Sequence, residues 1–360
     1  MSTELADVDA VVLVGGRGTR LRPLTLSVPK PMLPTAGVPL LSHLLCRIRE
    51  AGIRHVVLAT SYRAEVFAEH FGNGAALGLA LDYVVETEPL GTAGGIRNVA
   101  GLLCGRDVLV FNSDILSGLD PADAVATHRS SGADVTLHLV RVPDPRAFGC
   151  VPTDAEGRVQ AFLEKTEDPP TDQINAGCYV FRREVIDTIP TGRPVSVERE
   201  TFPGLLAAGA LVQAHVESSY WLDVGTPAAF VQGSADLVRG VVRSSAVPGA
   251  AGEVLVSAAA RVSPSAVLAG GSAVGAGCVV ASGARVTGSV LMDGSAVADG
   301  AVVERSVLGT EAHVGAGAVL RGAVIGDGAR VGARCELLDG VRLWPGVVLP
   351  DGALRFSSDA

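Results

Sequence analysis

Residues 12–34, VLVGGRGTRLRPLTLSVPKPMLP, concentrate the side chains best suited to chemistry. Gly15, Gly16 and Gly18 allow backbone N–H groups to close on phosphate oxygens with no Cβ in the way, and Arg20 offers a bidentate grip on a phosphate. Lys30 stands between Pro29 and Pro31, whose rings restrict the backbone and present the ammonium at little ordering cost. The string is neither a Walker A loop nor a GxGxxG fingerprint. From Ala10 to Arg49 there is no Asp or Glu, although the 360-residue chain carries a formal charge of −9. A small, highly charged anion suits that distribution, and a nucleic-acid polymer, which needs a broad basic surface, does not.

Two aspartates follow apolar runs. Asp114 closes DVLVFNSD (107–114) and Asp223 lies in YWLDVGT (220–226). Ligands collect at the carboxyl ends of strands in open α/β sheets, and two carboxylates brought together would hold Mg²⁺ against phosphates; the competing role is a helix N-cap. Glu164 and Lys165 fit a clamp in which the ammonium meets a phosphate and the carboxylate accepts sugar hydroxyls, or else a surface ion pair. Gly91, in EPLGTAGGI, would bring backbone against a flat base or simply turn a strand into a helix. Glu198, in SVERETFP, would face a sugar or complete a capping box. Gly149, Asn175 and Gly177 read by themselves as turn residues.

These groups need elements to position them. DAVVLVGG from Asp9 reads as a buried strand running into a glycine turn, and 55–60, 81–87 and 107–114 repeat the strand pattern. Helix-like stretches over 39–52, 62–71, 92–103 and 121–131 separate them, so the first half is α/β: a Rossmann-like mixed, mainly parallel sheet flanked by helices. After 134–142 come shorter strands at FGCVPTD, RVQAFLEK and INAGCYVF, then a helix over 196–209 and another through 236–239. The expected organisation is a catalytic domain over 1–240, a linker over 241–261, a repeat domain over 262–350 and a tail over 351–360.

The repeat has a six-residue rhythm. Aliphatic residues fall at 262, 268, 274, 280 and 286, and five-residue steps follow 286, 303 and 320, which are 17 residues apart. If three units make one triangular coil, the short step recurs on one corner of a prism. This pattern resembles the hexapeptide-repeat left-handed parallel β-helix, with about five coils. One aromatic residue, Trp344, occurs in 262–350, so the core must be built from small aliphatics. The chain has no apolar run long enough to cross a membrane and no signal-peptide pattern, which implies a cytoplasmic protein with no membrane partner. Six cysteines without CxxC spacing read as buried free thiols.

The motifs GGRGTRLRPLT…PKPMLP, EPLGTAGGI, FNSD, FGCV, FLEK, INAG and YWLDVGT, in that order, resemble the sugar-phosphate nucleotidyltransferases, particularly the mannose-1-phosphate guanylyltransferases with a hexapeptide-repeat tail. One departure is Thr166, where many relatives have proline after the lysine. The resemblance implies nucleotide contacts from Leu13, Gly15, Gly16, Gly18, Thr19, Arg20, Lys30, Gly91 and Thr92. It implies sugar-phosphate contacts from Gly149, Glu164, Lys165, Asn175, Gly177 and Glu198, and Mg²⁺ on Asp114 and Asp223. Arg20, Lys30, Asp114 and Asp223 become the catalytic set, GTP and mannose 1-phosphate the substrates, and a homo-oligomer assisted by the β-helix the assembly. Thymidylyl, uridylyl and heptose-directed guanylyl transfer share the same phosphate machinery. Two further alternatives are a β-helix acyltransferase, whose base would have to be His313, and a non-catalytic binding subunit.

Overall fold

The computed structural model describes residues 5–356 apart from Tyr62, Pro248 and Ala250; the start of the expected 62–71 helix and the end of the 351–360 tail lie outside the described residues. The chain divides into two compact units, residues 1–16 with 44–221 and residues 17–43 with 222–360.

The first unit is built on Val8–Val14, buried at nearly every position as a continuous apolar run requires. It pairs in parallel with His55–Thr60 on one side and Asp107–Asn112 on the other. Ala80–Val85 extends the parallel set. Gln173–Arg182 joins antiparallel to Asp107–Asn112, and Val135–Arg141 pairs antiparallel with it. The short strands Gly149–Cys150 and Leu163–Glu164 close that edge. Val212–Val216, whose five residues carry too brief an alternation to stand out in the sequence, adds a strand parallel to Val135–Arg141. The sheet has nine strands among the described residues.

Helix signals behaved as local chemistry dictates. Pro121–Ser131 has Asp120 accepting the Ala122 N–H at 2.9 Å, proline in its first turn and Gly132 in the left-handed region at its end. The 92–103 stretch splits into Gly91–Asn98 and the tighter turn Ala100–Leu102. Phe162, Tyr179 and Phe181 converge on Phe202 in the core, Tyr179 edge-on at 5.1 Å. The six cysteines are free, but Cys104 is exposed because it lies in a surface turn, where its N–H is bound by Asp9.

In the second unit three sheets of six parallel strands form a left-handed β-helix. There are six coils because Val254–Val256 and Leu354–Phe356 extend the prism beyond the clear rhythm; position 355, in register with Leu337, is an arginine. The short steps share one corner, and a ladder of buried serines runs through it. Ser272 Oγ accepts the Ser289 N–H at 3.2 Å, Ser289 Oγ accepts that of Ser306 at 3.1 Å, and Ser306 Oγ accepts that of Ala323 at 3.0 Å. The core is Ala, Val, Leu, Ile and Cys. Helix Pro227–Val238 lies against the first face so closely that a Cβ on Gly271 would come within 2.6 Å of the Ala235 Cβ.

At the amino edge of the large sheet, His55 Nδ1 bonds Asp9 Oδ1 at 2.8 Å and Nε2 bonds Asp82 Oδ2 at 3.0 Å. Burial lowers the His55 pKa, but the bonds to Asp9 and Asp82 outweigh it and the net shift is upward from 6.5. A raised folded-state pKa stabilises fully below the unfolded value and is lost as pH climbs through the folded one. The thermal midpoint of wild type should therefore exceed that of His55→Gln most at about pH 6, with the gap narrowing towards about pH 9. A gap independent of pH would contradict the charged bridge.

Candidate active site

In the first unit, Val8–Val14 gives way to Gly15 and Gly16. Gly16 has φ +96°, with nothing within 4 Å of where a Cβ would sit, so backbone is left open at the carboxyl edge of the sheet. Leu13 pairs with Asn112 on the neighbouring strand, and Ser113 Oγ donates to the Leu13 carbonyl at 2.7 Å. That bond closes the strand at Asn112, two residues earlier than the motif suggests. Asp114 follows, half-buried, in the turn that leads into Ile115–Ser117.

Gly91 has φ +72°, and a Cβ there would lie 2.6 Å from the Val195 carbonyl oxygen. That oxygen instead accepts the N–H groups of Ala93 and Gly94 at 3.0 and 3.2 Å, so the glycine permits the turn and the close docking of its helix. Thr92 Oγ1 donates to Glu198 Oε2 at 2.9 Å and accepts the Val197 N–H at 2.8 Å; Ser196 Oγ also donates to Glu198, at 2.7 Å. The cap of the 197–201 turn is completed by Glu200, which accepts the Ser196 N–H at 3.2 Å. The Glu198 carboxylate therefore joins Thr92 instead of serving as that cap. Beside this turn Glu86 accepts the Leu90 N–H, and burial raises its pKa.

On the side of the short strands, Gly149 faces the Phe162 ring, which a Cβ would meet at 2.8 Å, and Glu164 Oε2 at 3.0 Å. Gly177, at φ +78°, lies over Asn112. Asn175 Oδ1 accepts the Gly177 N–H at 3.0 Å and its Nδ2 donates to the Tyr179 hydroxyl at 2.8 Å, fastening a bulge in Gln173–Arg182. Lys165 has left-handed backbone, φ +52°, and an exposed ammonium 3.7 Å from Glu164 Oε1. Phe148 and Trp221 stack edge-to-face at 5.3 Å, and the indole N–H donates to the Ala176 carbonyl. The Thr92–Glu198 pair and the Phe148–Trp221 wall were not legible beforehand, since each joins positions distant in sequence.

The second unit brings Arg20, Lys30 and Asp223 together. Arg20 Nη2 is 3.7 Å from Asp223 Oδ2, and Lys30 Nζ is 3.6 Å from Asp223 Oδ1. The ammonium is nearly buried, 10% exposed, whereas the guanidinium is 65% exposed. Gly18 starts the Thr19–Leu21 turn in the left-handed region, and a Cβ on it would strike Thr25 at 2.9 Å and Lys30 at 3.2 Å. Thr25 Oγ1 holds the Gly18 carbonyl at 2.8 Å, which folds the segment so that Lys30 returns to the bend. Gly225, two residues after Asp223, is a participant the motif alone conceals: the Arg20 guanidinium lies over it, with Nη2 2.5 Å from where a Cβ would be.

In the first unit a glycine bend lies at the carboxyl edge of an α/β sheet, and in the second a two-cation, one-carboxylate cluster forms; each suits phosphate chemistry, and sequence comparison gives the class. Residues 9–240 match the nucleotidyl transferase family and residues 250–355 match the GMPPB C-terminal domain. The chain belongs to the nucleotidyl transferase family. It is 65% identical to the mannose-1-phosphate guanylyltransferase of Mycobacterium tuberculosis over 98% of both chains. It is 36% identical to the probable mannose-1-phosphate guanylyltransferase 3 of Oryza sativa over 79% of this chain and 81% of the relative. The structure of HddC from Yersinia pseudotuberculosis complexed with GMP-PN is similar with a TM-score of 0.55 and 28% identity, over 63% of this chain and 97% of that one.

A methyl group at Gly225 should displace the Arg20 guanidinium without disturbing the fold. Gly225→Ala is expected to keep its thermal midpoint and lose nucleoside triphosphate affinity about tenfold by calorimetry, with Arg20→Ala adding little on top. Full additivity of the two losses would show that Gly225 does not act through Arg20.

Proposed function

We infer that the chain is a mannose-1-phosphate guanylyltransferase, joining the guanylyl group of GTP to mannose 1-phosphate with release of pyrophosphate. The full-length likeness to the mycobacterial enzyme carries this reading, and the Arg20–Lys30–Asp223 cluster supports it chemically. A phosphate oxygen of the sugar phosphate attacks the α-phosphorus of the nucleotide; the new P–O bond forms as the α–β anhydride bond breaks, and the electron pair leaves with pyrophosphate. The attacking oxygen is already anionic, so no protein nucleophile or general base is required.

In this reading the Gly15–Gly16 backbone and Arg20 receive the triphosphate, while Lys30 opposes charge growing on the leaving group. Leu13, Gly91 and Thr92 border the nucleotide, Thr19 begins the phosphate turn, and Gly149, Glu164, Lys165, Asn175, Gly177 and Glu198 surround the sugar phosphate. The catalytic residues belong to a region over 1–240; the β-helix expected over 262–350 reaches further, from Val254–Val256, inside the expected 241–261 connection, to Leu354–Phe356.

Asp114 and Asp223 would hold Mg²⁺. No cluster of three or more His, Cys, Asp or Glu suited to a metal occurs among the described residues. Magnesium fits so sparse a set, because it commonly takes one or two carboxylates and completes its shell with substrate phosphates and water. When bound, it neutralises phosphate charge. Asp223, beside Arg20 and Lys30, offers a hard oxygen donor.

A cytoplasmic location is part of this reading, by likeness to the mycobacterial enzyme; separately, no helix among the described residues is long and apolar enough to span a membrane. Assembly through the β-helix is supported by exposed Trp344, Val348 and Leu354 near its last coil. Light scattering of the full chain should give an oligomer, and Trp344→Ser with Val348→Ser should shift it towards the monomer. A wild-type monomer would dismiss that assembly.

A panel of GTP, UTP and dTTP against mannose, glucose and heptose 1-phosphates, read by pyrophosphate release, should peak at GTP with mannose 1-phosphate and fall to background with excess chelator. Asp114→Asn and Asp223→Asn should each remain folded and lose about 10²–10³-fold in kcat. Preference for UTP or dTTP with glucose 1-phosphate would reject the guanylyl assignment.

A further inference from the structure

The segment that carries Arg20 and Lys30 is held by the C-terminal third of the chain. Ala36 N–H donates to Ser234 Oγ at 3.0 Å, on helix Pro227–Val238. His43 bonds the Ser244 hydroxyl at 2.8 Å and the Thr35 carbonyl at 2.9 Å. Gly37 approaches Leu255, on the first strand of one β-helix face, with its notional Cβ 3.7 Å from the Leu255 Cδ2. At the other end of the same face, on its sixth strand, Arg342 Nη1 donates to the Arg22 carbonyl at 2.9 Å. The segment thus runs along that face from first coil to last.

Between those ends the packing is incomplete. A cavity of about 610 Å³ separates the two, lined by Leu24, Val28 and Met32 of the segment and by Leu291, Met292 and Asp293 of the coils. Leu24 and Met32 are buried even so, but across the cavity they lack direct packing on the coils, contacts that would otherwise fix the segment to that face. Near Arg20 a polar bond from the β-helix adds to that burial, since Arg342 holds the backbone two residues away.

We propose that this face of the β-helix is part of the phosphate-binding apparatus, with Arg342 a positioning residue that holds the Arg22 carbonyl and through it Arg20 and Lys30. The kinetic consequence rests on the reading of those cations given above; the mechanical one does not. A hydrogen bond from a charged donor on a partly exposed site is worth a modest factor, so Arg342→Ala is expected to raise the KM for GTP or lower kcat about three- to tenfold. The KM for mannose 1-phosphate and the thermal midpoint should stay unchanged.

Arg342→Lys, which keeps a cationic donor, should recover much of the loss. Arg330→Ala, removing an exposed arginine from a different face of the prism, should behave as wild type. Hydrogen exchange of residues 17–35, measured by mass spectrometry without substrate, should quicken in Arg342→Ala alone. Wild-type kinetics and exchange in Arg342→Ala, or equal effects in Arg330→Ala, overturn the proposal. Absence of guanylyl transfer in the wild type would instead remove the functional reading, and the exchange result would still decide the mechanical one.

Discussion

A nearly buried lysine side chain needs a counter-charge at hand, and part of the second unit answers to that constraint. Desolvation disfavours a charged lysine unless an opposite charge lies close, and Asp223 stands 3.6 Å from the Lys30 nitrogen. The same carboxylate draws Arg20, which remains open to solvent and so able to turn towards an arriving phosphate. A cluster of this kind is costly to leave half-made. Asp223 precedes a helix whose first turn is capped by Thr226 and begun by Pro227, and Ser234 and Gly271 tie that helix to the segment bearing Lys30 and to the β-helix.

The β-helix provides rigidity by a different route. With no large ring in its core, it depends on small aliphatic side chains stacking once per coil, and each coil must have a near-constant length. At the corner that carries the short steps, each serine hydroxyl accepts the N–H of the serine or alanine above it and ties successive coils together. A repeat unit of this kind transmits position along its length, as a surface spanning six coils against one continuous segment needs.

Much of the fold was legible because the signals are local. Val8–Val14 and its parallel neighbours announce themselves as apolar runs, Pro121–Ser131 by its cap, proline and terminal glycine, and the prism by its rhythm. What escaped was short or shared. Val212–Val216 is a strand because a partner edge was available, and the first and last coils exist because their neighbours template them, even where an arginine replaces the aliphatic residue. Asp114 lies in a turn, because its strand ends at Asn112 and Ser113 binds the Leu13 carbonyl through its hydroxyl.

The sequence by itself determined which residues possess the required chemistry, since glycine freedom, fixed cations and carboxylates are properties of residue type and spacing. Only tertiary structure decided their partners: that Lys30 meets Asp223 across almost two hundred residues, that Gly225 is a floor for Arg20, and that Glu198 turns to Thr92 while Glu200 makes the cap. Spacing constrains what lies within a turn or a strand. Contacts between distant positions depend on how whole elements pack, and that information is spread over the entire core.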